Sequence, residues 1–256
     1  MKVIIIILIS LVITLQGNCQ ITDEYFNRMN PIILRHEGFA PVAKEYFDRA
    51  TSRMKNGNFR GAIEDFSKAI EIDPEYAEAY NNRGIAKRKL NDLAGAMQDF
   101  TMAIESSPKY AEAYNNRGNA KLDLMNDSGA IEDYTRAISI NHKLADAYHN
   151  RGIAKRNLNN LNEAIEDFTN AIKINRKFAD AYNNRGLARN DLKDYKGAIE
   201  DFNKAIEIFP GYAIALSNRG IVKINTGQKL SGCMDLNKAA ELGNIQAHEL
   251  IRKFCE

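Results

Sequence analysis

Apolar residues recur at helical spacing along most of the chain, in two short stretches separated by a polar break. One such unit begins with Ala145 to Lys155, continues through Asn159 and Asn160, and ends with Asn162 to Ile172. Within each stretch the apolar residues lie three or four positions apart, which predicts an amphipathic α-helix. The polar break predicts a tight turn. The unit is therefore predicted to be a helical hairpin.

The hairpin pattern repeats with a fixed period of 34 residues. The repeated positions include a tyrosine (Tyr80, Tyr114, Tyr148, Tyr182), a glycine (Gly84, Gly118, Gly152, Gly186, Gly220) and a second aromatic residue (Phe66, Phe100, Tyr134, Phe168, Phe202). A period of this length is typical of stacked hairpins that bury their apolar faces against each other. We expect the glycines to let paired helices approach to about 8–10 Å.

These positions resemble the signature of the tetratricopeptide repeat, which has an aromatic residue at position 4, Gly at 8, Ala at 20, an aromatic residue at 24, Ala at 27 and Pro at 32. In one copy they are Tyr80, Gly84, Ala96, Phe100, Ala103 and Pro108. Six copies of 34 residues, 204 of the 256, span 43–76, 77–110, 111–144, 145–178, 179–212 and 213–246. The resemblance implies an all-α fold, a right-handed α-solenoid or superhelix of stacked antiparallel hairpins.

The chain has different patterns on either side of the repeats. Residues 1–19 have the layout of a signal peptide: an apolar run at 3–15 is followed by Gly17 and Cys19, which predicts cleavage before Gln20 and export to the periplasm or the exterior. An uncleaved anchor formed by residues 3–15 and lipid attachment at Cys19 remain open as alternatives, and membrane association is expected only through them. Residues 20–42 are predicted to be a lead-in segment and 247–256 a capping helix.

Charge and motif searches narrow the functional classes. The 35 basic and 33 acidic residues are interspersed, whereas a nucleic-acid surface needs a clustered basic face. The four histidines do not recur with carboxylates or thiols at the spacing of a metal site or catalytic triad. Adjacent Glu-Asp pairs point about 100° apart on a helix and so do not flank one substrate bond. We therefore expect no enzyme, cofactor, metal, small-molecule substrate or nucleic-acid partner.

The resemblance implies that the first helix of each hairpin lines a concave groove with its positions 2, 5, 6, 9, 12 and 13. Asparagine fills position 6 in five successive copies and dominates position 5. The resulting candidate groove residues are Asn81, Asn82, Asn115, Asn116, His149, Asn150, Asn183, Asn184 and Asn218. An amide offers both a donor and an acceptor, so a regular file of them can bond the backbone of an extended peptide. The alternative is that Asn merely suits an exposed helix, although it is a poor helix former.

Two further positions are expected to add selectivity. Position 9 carries Ile85, Asn119, Ile153 and Leu187, and position 2 carries Glu78, Glu112, Asp146 and Asp180. The acids favour a basic or neutral partner segment, or they reflect the preference of a helix N-terminus for negative charge. The expected function is a protein–protein interaction scaffold or assembly adaptor. A structural subunit of an envelope complex that stacks through convex or terminal faces, and a non-catalytic subunit that regulates an enzyme, remain alternatives.

Two kinds of side-chain pair are also predicted. Position 7 carries Arg and position 11 a basic residue, while position 23 carries Asp, so Arg–Asp pairs are expected between neighbouring helices. Being partly exposed, each pair should contribute less than about 1 kcal/mol. The alternative is that both charges are solvated separately. Cys233 and Cys255 should lie on helices that pack together. An oxidising compartment would favour a disulfide between them, and two free thiols remain equally open.

Overall fold

The computed structural model describes residues 41–256, and all of the regular secondary structure in this range is α-helical. The first helix, α1, covers 41–55. Those that follow are α2 (Phe59–Ile72), α3 (Ala77–Lys89), α4 (Leu93–Ser106), α5 (Ala111–Asp123), α6 (Asp127–Ile140), α7 (Ala145–Asn157), α8 (Leu161–Ile174), α9 (Ala179–Asp191), α10 (Tyr195–Ile208), α11 (Ala213–Asn225), α12 (Lys229–Glu241) and α13 (Ile245–Phe254). The predicted signal segment, and the lead-in up to residue 40, lie outside the described residues.

The described residues divide into two compact units, 41–90 and Asn91–Glu256. The described part of the first unit holds α1 to α3. There α1 packs on α2, with the rings of Phe47 and Phe66 5.6 Å apart, and α2 packs on α3. Ala50 on α1 and Ala69 on α2 are fully buried.

The second unit holds α4 to α13, in which each helix packs on the next along the chain. The hairpins α5–α6, α7–α8, α9–α10 and α11–α12 form a stack of antiparallel pairs. The predicted fold class is thereby confirmed: an all-α architecture of stacked antiparallel helix pairs.

Small residues at position 8 make the close pairing possible. A Cβ atom on Gly152 would lie 2.7 Å from the Phe168 ring, and one on Gly186 would lie 2.8 Å from the Phe202 ring. These separations are shorter than van der Waals contact, so at these two positions glycine lets the aromatic ring of the second helix lie against the first helix. The expectation that glycine permits close helix approach is confirmed.

The core repeats from one hairpin to the next. Phe168 and Ala164 on α8 are fully buried together with Ala188 of α9, and Ile153 and Ile165 pack against them. Phe168 of α8 thus fills the space between its own first helix and the first helix of the following hairpin. This continuity holds the hairpins in one stack, because no hairpin buries its apolar stripe alone.

Candidate functional site

The first helices of the second unit form an inner row. Contacts join α5 to α7, α7 to α9, and α9 to α11, whereas successive second helices contact each other less. Helices that approach each other more closely form the shorter side of a stack. The exposed positions of these first helices therefore line its inner face.

Positions 5 and 6 lie in different surroundings along this inner row. At position 5, Asn115, His149 and Asn183 are buried. The position-6 residues are half-buried and reach solvent; in the second unit they are Asn116, Asn150, Asn184 and Asn218. The first unit has the same arrangement, with Asn81 buried, Asn82 half-buried, and Asn81 Nδ2 donating to Asn82 Oδ1 at 3.1 Å. Adjacent residues on a helix point about 100° apart, so the position-5 side chain is buried among the helices while the position-6 side chain reaches solvent.

The position-6 amides also join successive first helices. Asn218 Nδ2 donates to Asn183 Oδ1 at 2.9 Å, and Asn184 Nδ2 donates to His149 Nε2 at 2.8 Å. In both cases position 6 of one copy bonds position 5 of the preceding copy, 35 residues earlier. Sequence reasoning missed this link, although the paired occurrence of amides at positions 5 and 6 was its signal.

The link leaves part of each amide open to a ligand. Within the described residues, every side-chain nitrogen or oxygen that is shut off from solvent has a hydrogen-bond partner. The Oδ1 atoms of Asn184 and Asn218 accept no hydrogen bond from the described chain and are therefore in contact with solvent. Each amide is oriented by its bond to the neighbouring helix and presents an acceptor outward.

His149 is the one titratable member of this file in the described residues. Its Nδ1 lies 3.3 Å from Asn150 Oδ1, and its ring lies 4.7 Å from that of Phe178. Because Nε2 accepts a hydrogen bond from Asn184, the ring is neutral and Nδ1 carries the proton. Burial lowers the pKa of His149, while the hydrogen bond to Asn150 and the nearby Asp180 oppose that effect.

The position-9 side chains are only partly available. Ile153 and Leu187 pack against the buried aromatic residues of their own hairpins. Asn119 accepts hydrogen bonds from Tyr134 Oη at 2.8 Å and from Asn150 Nδ2 at 2.9 Å. These residues therefore belong as much to the helix contacts as to the inner surface.

The acidic residues at position 2 of the second unit are all exposed. Glu112, Asp146 and Asp180 are exposed and lie in the first turn of their helices. Tyr212 donates its phenol hydrogen to Asp180 Oδ1. Burial, followed by the hydrogen bond to this carboxylate, raises the pKa of Tyr212. Both explanations for the acids, partner charge and helix N-terminal preference, fit this location.

The predicted Arg–Asp pairs are present. Arg151 donates from Nε and Nη2 to the two oxygens of Asp167 at 2.9 and 2.7 Å, and its Nη1 donates to Thr135 Oγ1 at 3.0 Å. The same two-pronged pair joins Arg49 to Asp65, Arg117 to Asp133, Arg185 to Asp201 and Arg219 to Asp235. In contrast to the expectation of partly exposed pairs, the Asp167 side chain is only 2% exposed. Lys155 also pairs with it at 2.9 Å.

Family comparisons match the same repeats. Residues 145–178 and 179–212 match the family "Tetratricopeptide repeat", as do 77–110 and 111–143 in a second profile of that description. Residues 52–90 match a profile described as "TPR repeat". The chain belongs to the tetratricopeptide-repeat family. Proteins of this family are repeat scaffolds that bind protein or peptide partners and are typically non-catalytic.

Several solved tetratricopeptide-repeat structures resemble this one. A crystal structure of MamA is 27% identical, covers 64% of this chain and 96% of its own, and has a TM-score of 0.58. YrrB, described as a TPR protein with an unusual peptide-binding site, is 22% identical over 73% of this chain and 97% of its own, with a TM-score of 0.59. PilW, a type IV pilus biogenesis factor, is 17% identical over 82% and 98%, with a TM-score of 0.75. No curated protein matches the chain by sequence.

The last tetratricopeptide hairpin is joined to the helix that follows it. The sulfur atoms of Cys233 on α12 and Cys255 after α13 lie at disulfide distance, 2.05 Å. Of the two alternatives that the sequence left open, the structure has the bonded pair. Ala247 of α13 is fully buried against Leu216 and Ala239, so the bond and an apolar contact both hold this helix to the stack.

The described part of this tetratricopeptide protein has neither a metal-binding cluster nor a membrane-spanning helix. Across 41–256, no group of three or more His, Cys, Asp or Glu side chains is arranged to hold a metal ion. Over the same range, each helix is too short or too polar to cross a membrane.

Proposed function

We propose that this protein is a non-enzymatic scaffold or assembly adaptor that holds an extended segment of a protein partner along the inner face of its first helices. The half-buried amides Asn116, Asn150, Asn184 and Asn218 of the second unit contact the segment. The buried residues Asn115, His149 and Asn183 each bond the position-6 amide of the following copy and orient it.

The observation that carries this proposal is the combination of a fixed amide and an open acceptor at Asn184 and Asn218. Each Nδ2 is held by the preceding first helix, and each Oδ1 has no hydrogen-bond partner in the described chain. An acceptor that is already oriented loses little conformational freedom when it binds a backbone N–H, so the hydrogen bond contributes more of its strength to affinity. A protein with a similar fold, YrrB, is described as having a peptide-binding site, which supports peptide binding as a use of this fold.

The test uses peptides selected from a displayed library of random dodecapeptides on the full chain. Replacing Asn184 or Asn218 by Ala should weaken a selected peptide by about 0.5–1.5 kcal/mol for each hydrogen bond lost. Asn162→Ala is the matched control, because Asn162 is an exposed asparagine on the second helix α8. Affinity is measured by fluorescence anisotropy, and circular dichroism establishes that each variant is folded. Equal affinity for all three variants and the wild type would contradict the proposal.

Crosslinking separates this function from the structural alternative. A partner held on the inner face should crosslink to α7 and α9, whereas a subunit that stacks through convex faces should crosslink to α8 and α10. Activity of a partner enzyme that changes on addition of this chain would favour the regulatory alternative.

We propose that the protein acts outside the cytoplasm after removal of residues 1–19. The cysteine pair at disulfide distance supports this location, because disulfides persist in oxidising compartments. N-terminal sequencing of protein recovered from the cell envelope should begin at Gln20. A chain that begins at Cys19 with a lipid mass would favour the lipid-anchored alternative, and one that begins at Met1 would favour the anchor formed by residues 3–15.

A further inference from the structure

The inner face changes character along the second unit. In the third to fifth copies, positions 2, 5, 6, 9, 12 and 13 carry five acidic residues and one basic residue, a formal charge of −4, although the whole chain has a net charge of +2. The acidic residues, all exposed, are Glu112, Asp123, Asp146, Asp180 and Asp191. Arg156, the basic residue, pairs with Asp191 at 2.8 Å. This stretch of the face is therefore strongly acidic.

The sixth copy has no charge at the same six positions. They hold Ile214, Ser217, Asn218, Ile221, Ile224 and Asn225. Ile214 occupies the position that is acidic in the second to fifth copies, and it is 55% exposed. The acidic part of the inner face thus ends at the boundary between the fifth and sixth copies.

An exposed aromatic ring lies at this boundary. Phe209, in the turn before α11, is 54% exposed, and its ring centroid lies 5.8 Å from that of Tyr212. Tyr212 in turn donates its phenol hydrogen to Asp180. The position of Phe209 is polar in the four preceding copies, which have Asp73, Ser107, Asn141 and Asn175. Contacts thus connect Asp180 to Phe209 through Tyr212, and the exposed Ile214 lies two residues after Tyr212, in the first turn of α11.

We propose that the partner is an extended segment with a cationic stretch and an adjoining aromatic or branched apolar side chain. The cationic stretch lies over the third to fifth copies, and the apolar side chain packs on Phe209 and Ile214. Charge complementarity selects the first part. Removal of exposed apolar surface from water favours the second. This inference rests on the proposed function, since it assumes that a segment lies along the amide file.

The test begins with the peptides selected from the random dodecapeptide library on the full chain. Selected sequences should combine Lys or Arg with a neighbouring Phe, Tyr, Trp, Leu or Ile. Their affinity should fall as salt concentration rises, because exposed charges are screened. Selected sequences that are acidic, or that lack an apolar residue, would overturn the inference.

Variants of the sixth copy test the apolar contact separately. Ile214→Asp gives the sixth copy the residue found at this position in the fourth and fifth copies, so the fold should accept it. It should weaken a selected peptide roughly tenfold, the effect of losing an apolar contact of a little over 1 kcal/mol. The wild type should bind a peptide whose apolar residue is replaced by Ser more weakly than the original peptide. The Ile214→Asp variant should bind the two peptides equally. Phe209→Ser should have the same two effects.

The control is Leu230→Asp, which removes an apolar side chain that is 80% exposed on the second helix α12. It should leave peptide affinity unchanged. If Asn184→Ala weakens binding and Ile214→Asp does not, the apolar contact is wrong and the groove function stands. If neither substitution weakens binding, or if the library gives no binder, the groove function itself is wrong and the inference falls with it.

Discussion

The phenol of Tyr134 on α6 donates a hydrogen bond to Asn119 Oδ1 on α5 at 2.8 Å. Both residues are departures of the third copy from its neighbours, since the fourth copy has Phe168 and Ile153 at these two positions and the fifth has Phe202 and Leu187. Tyr134 is fully buried. A buried hydroxyl needs an acceptor, so the two departures are explained together.

Replacing one member of this pair should cost more stability than replacing both. Asn119→Ile takes the acceptor from a buried phenol and should lower the free energy of unfolding by about 1–3 kcal/mol. Tyr134→Phe leaves an amide that still accepts from Asn150 and should cost about 0.5–1.5 kcal/mol. The double variant recreates the pair found in the fourth copy and should recover most of the loss.

Urea unfolding of the four proteins measures this coupling as a double-mutant cycle. Asn150 has a second acceptor available in the variants that lack Asn119, because its Nδ2 already lies 3.4 Å from Asn115 Oδ1. Additive effects of the two substitutions would show that the hydrogen bond does not link them.

The Arg151–Asp167 pair should contribute more than the sequence indicated, because its carboxylate is buried. Arg151→Leu leaves that carboxylate with Lys155 as its remaining cation and should lower the free energy of unfolding by about 2–3 kcal/mol. Arg151→Leu with Asp167→Leu should be less destabilising than Arg151→Leu alone, since no buried carboxylate is then left short of a partner.

Thermal and urea unfolding measure both variants. Arg252→Leu is the control, because Arg252 is exposed on α13 and forms no ion pair within the described residues. If Arg151→Leu lowers the free energy of unfolding no more than the control does, the pair contributes only as much as a weak surface ion pair.

The 34-residue repeat predicted the helices, their pairing and the Arg–Asp partners, because each of these depends only on the spacing of residues along the sequence. Positions 8 and 24, which hold Gly152 and Phe168 in the fourth copy, are 16 residues apart in every copy and so were expected to meet across the hairpin. The sequence did not predict that Asn183 is buried while Asn184 reaches solvent, since both were assigned to the groove. Which of two adjacent amides turns inward depends on how successive hairpins rotate against each other, and that rotation is fixed by packing between copies.

Acidification should weaken the stack at His149. The folded protein holds this ring neutral, and burial lowers its pKa below the ordinary value of about 6.5. The unfolded chain therefore binds the proton more readily. The stability contributed by the neutral ring is fully present above pH 6.5 or so and is lost as the pH falls from there through the folded pKa. Protonation also places a second N–H opposite Asn184 Nδ2, where an acceptor is needed.

His149→Asn is the matched variant, because asparagine fills this position in the second, third and fifth copies. Its unfolding free energy should change less between about pH 7.5 and pH 5.5 than that of the wild type. The neighbouring carboxylates Asp146 and Asp180 are present in both proteins, so the comparison isolates the effect of the imidazole. If the unfolding free energy changes equally with pH in the two proteins, His149 is not the group that weakens the stack on acidification.

Reduction of the Cys233–Cys255 bond should loosen α13 and leave the middle of the stack unchanged. The bond closes a loop between residues 22 apart in sequence, and a loop of this size stabilises the folded state by about 3 kcal/mol in the chain-entropy account. Because repeat proteins open locally from their ends, hydrogen exchange of Ile245–Phe254 should become faster after reduction while exchange in α9 stays the same. The variant Cys233→Ser with Cys255→Ser should match the reduced wild type and should not respond to reductant. Exchange in α13 that does not change on reduction, or maleimide labelling of both cysteines before reduction, would show that the bond does not hold this helix in place.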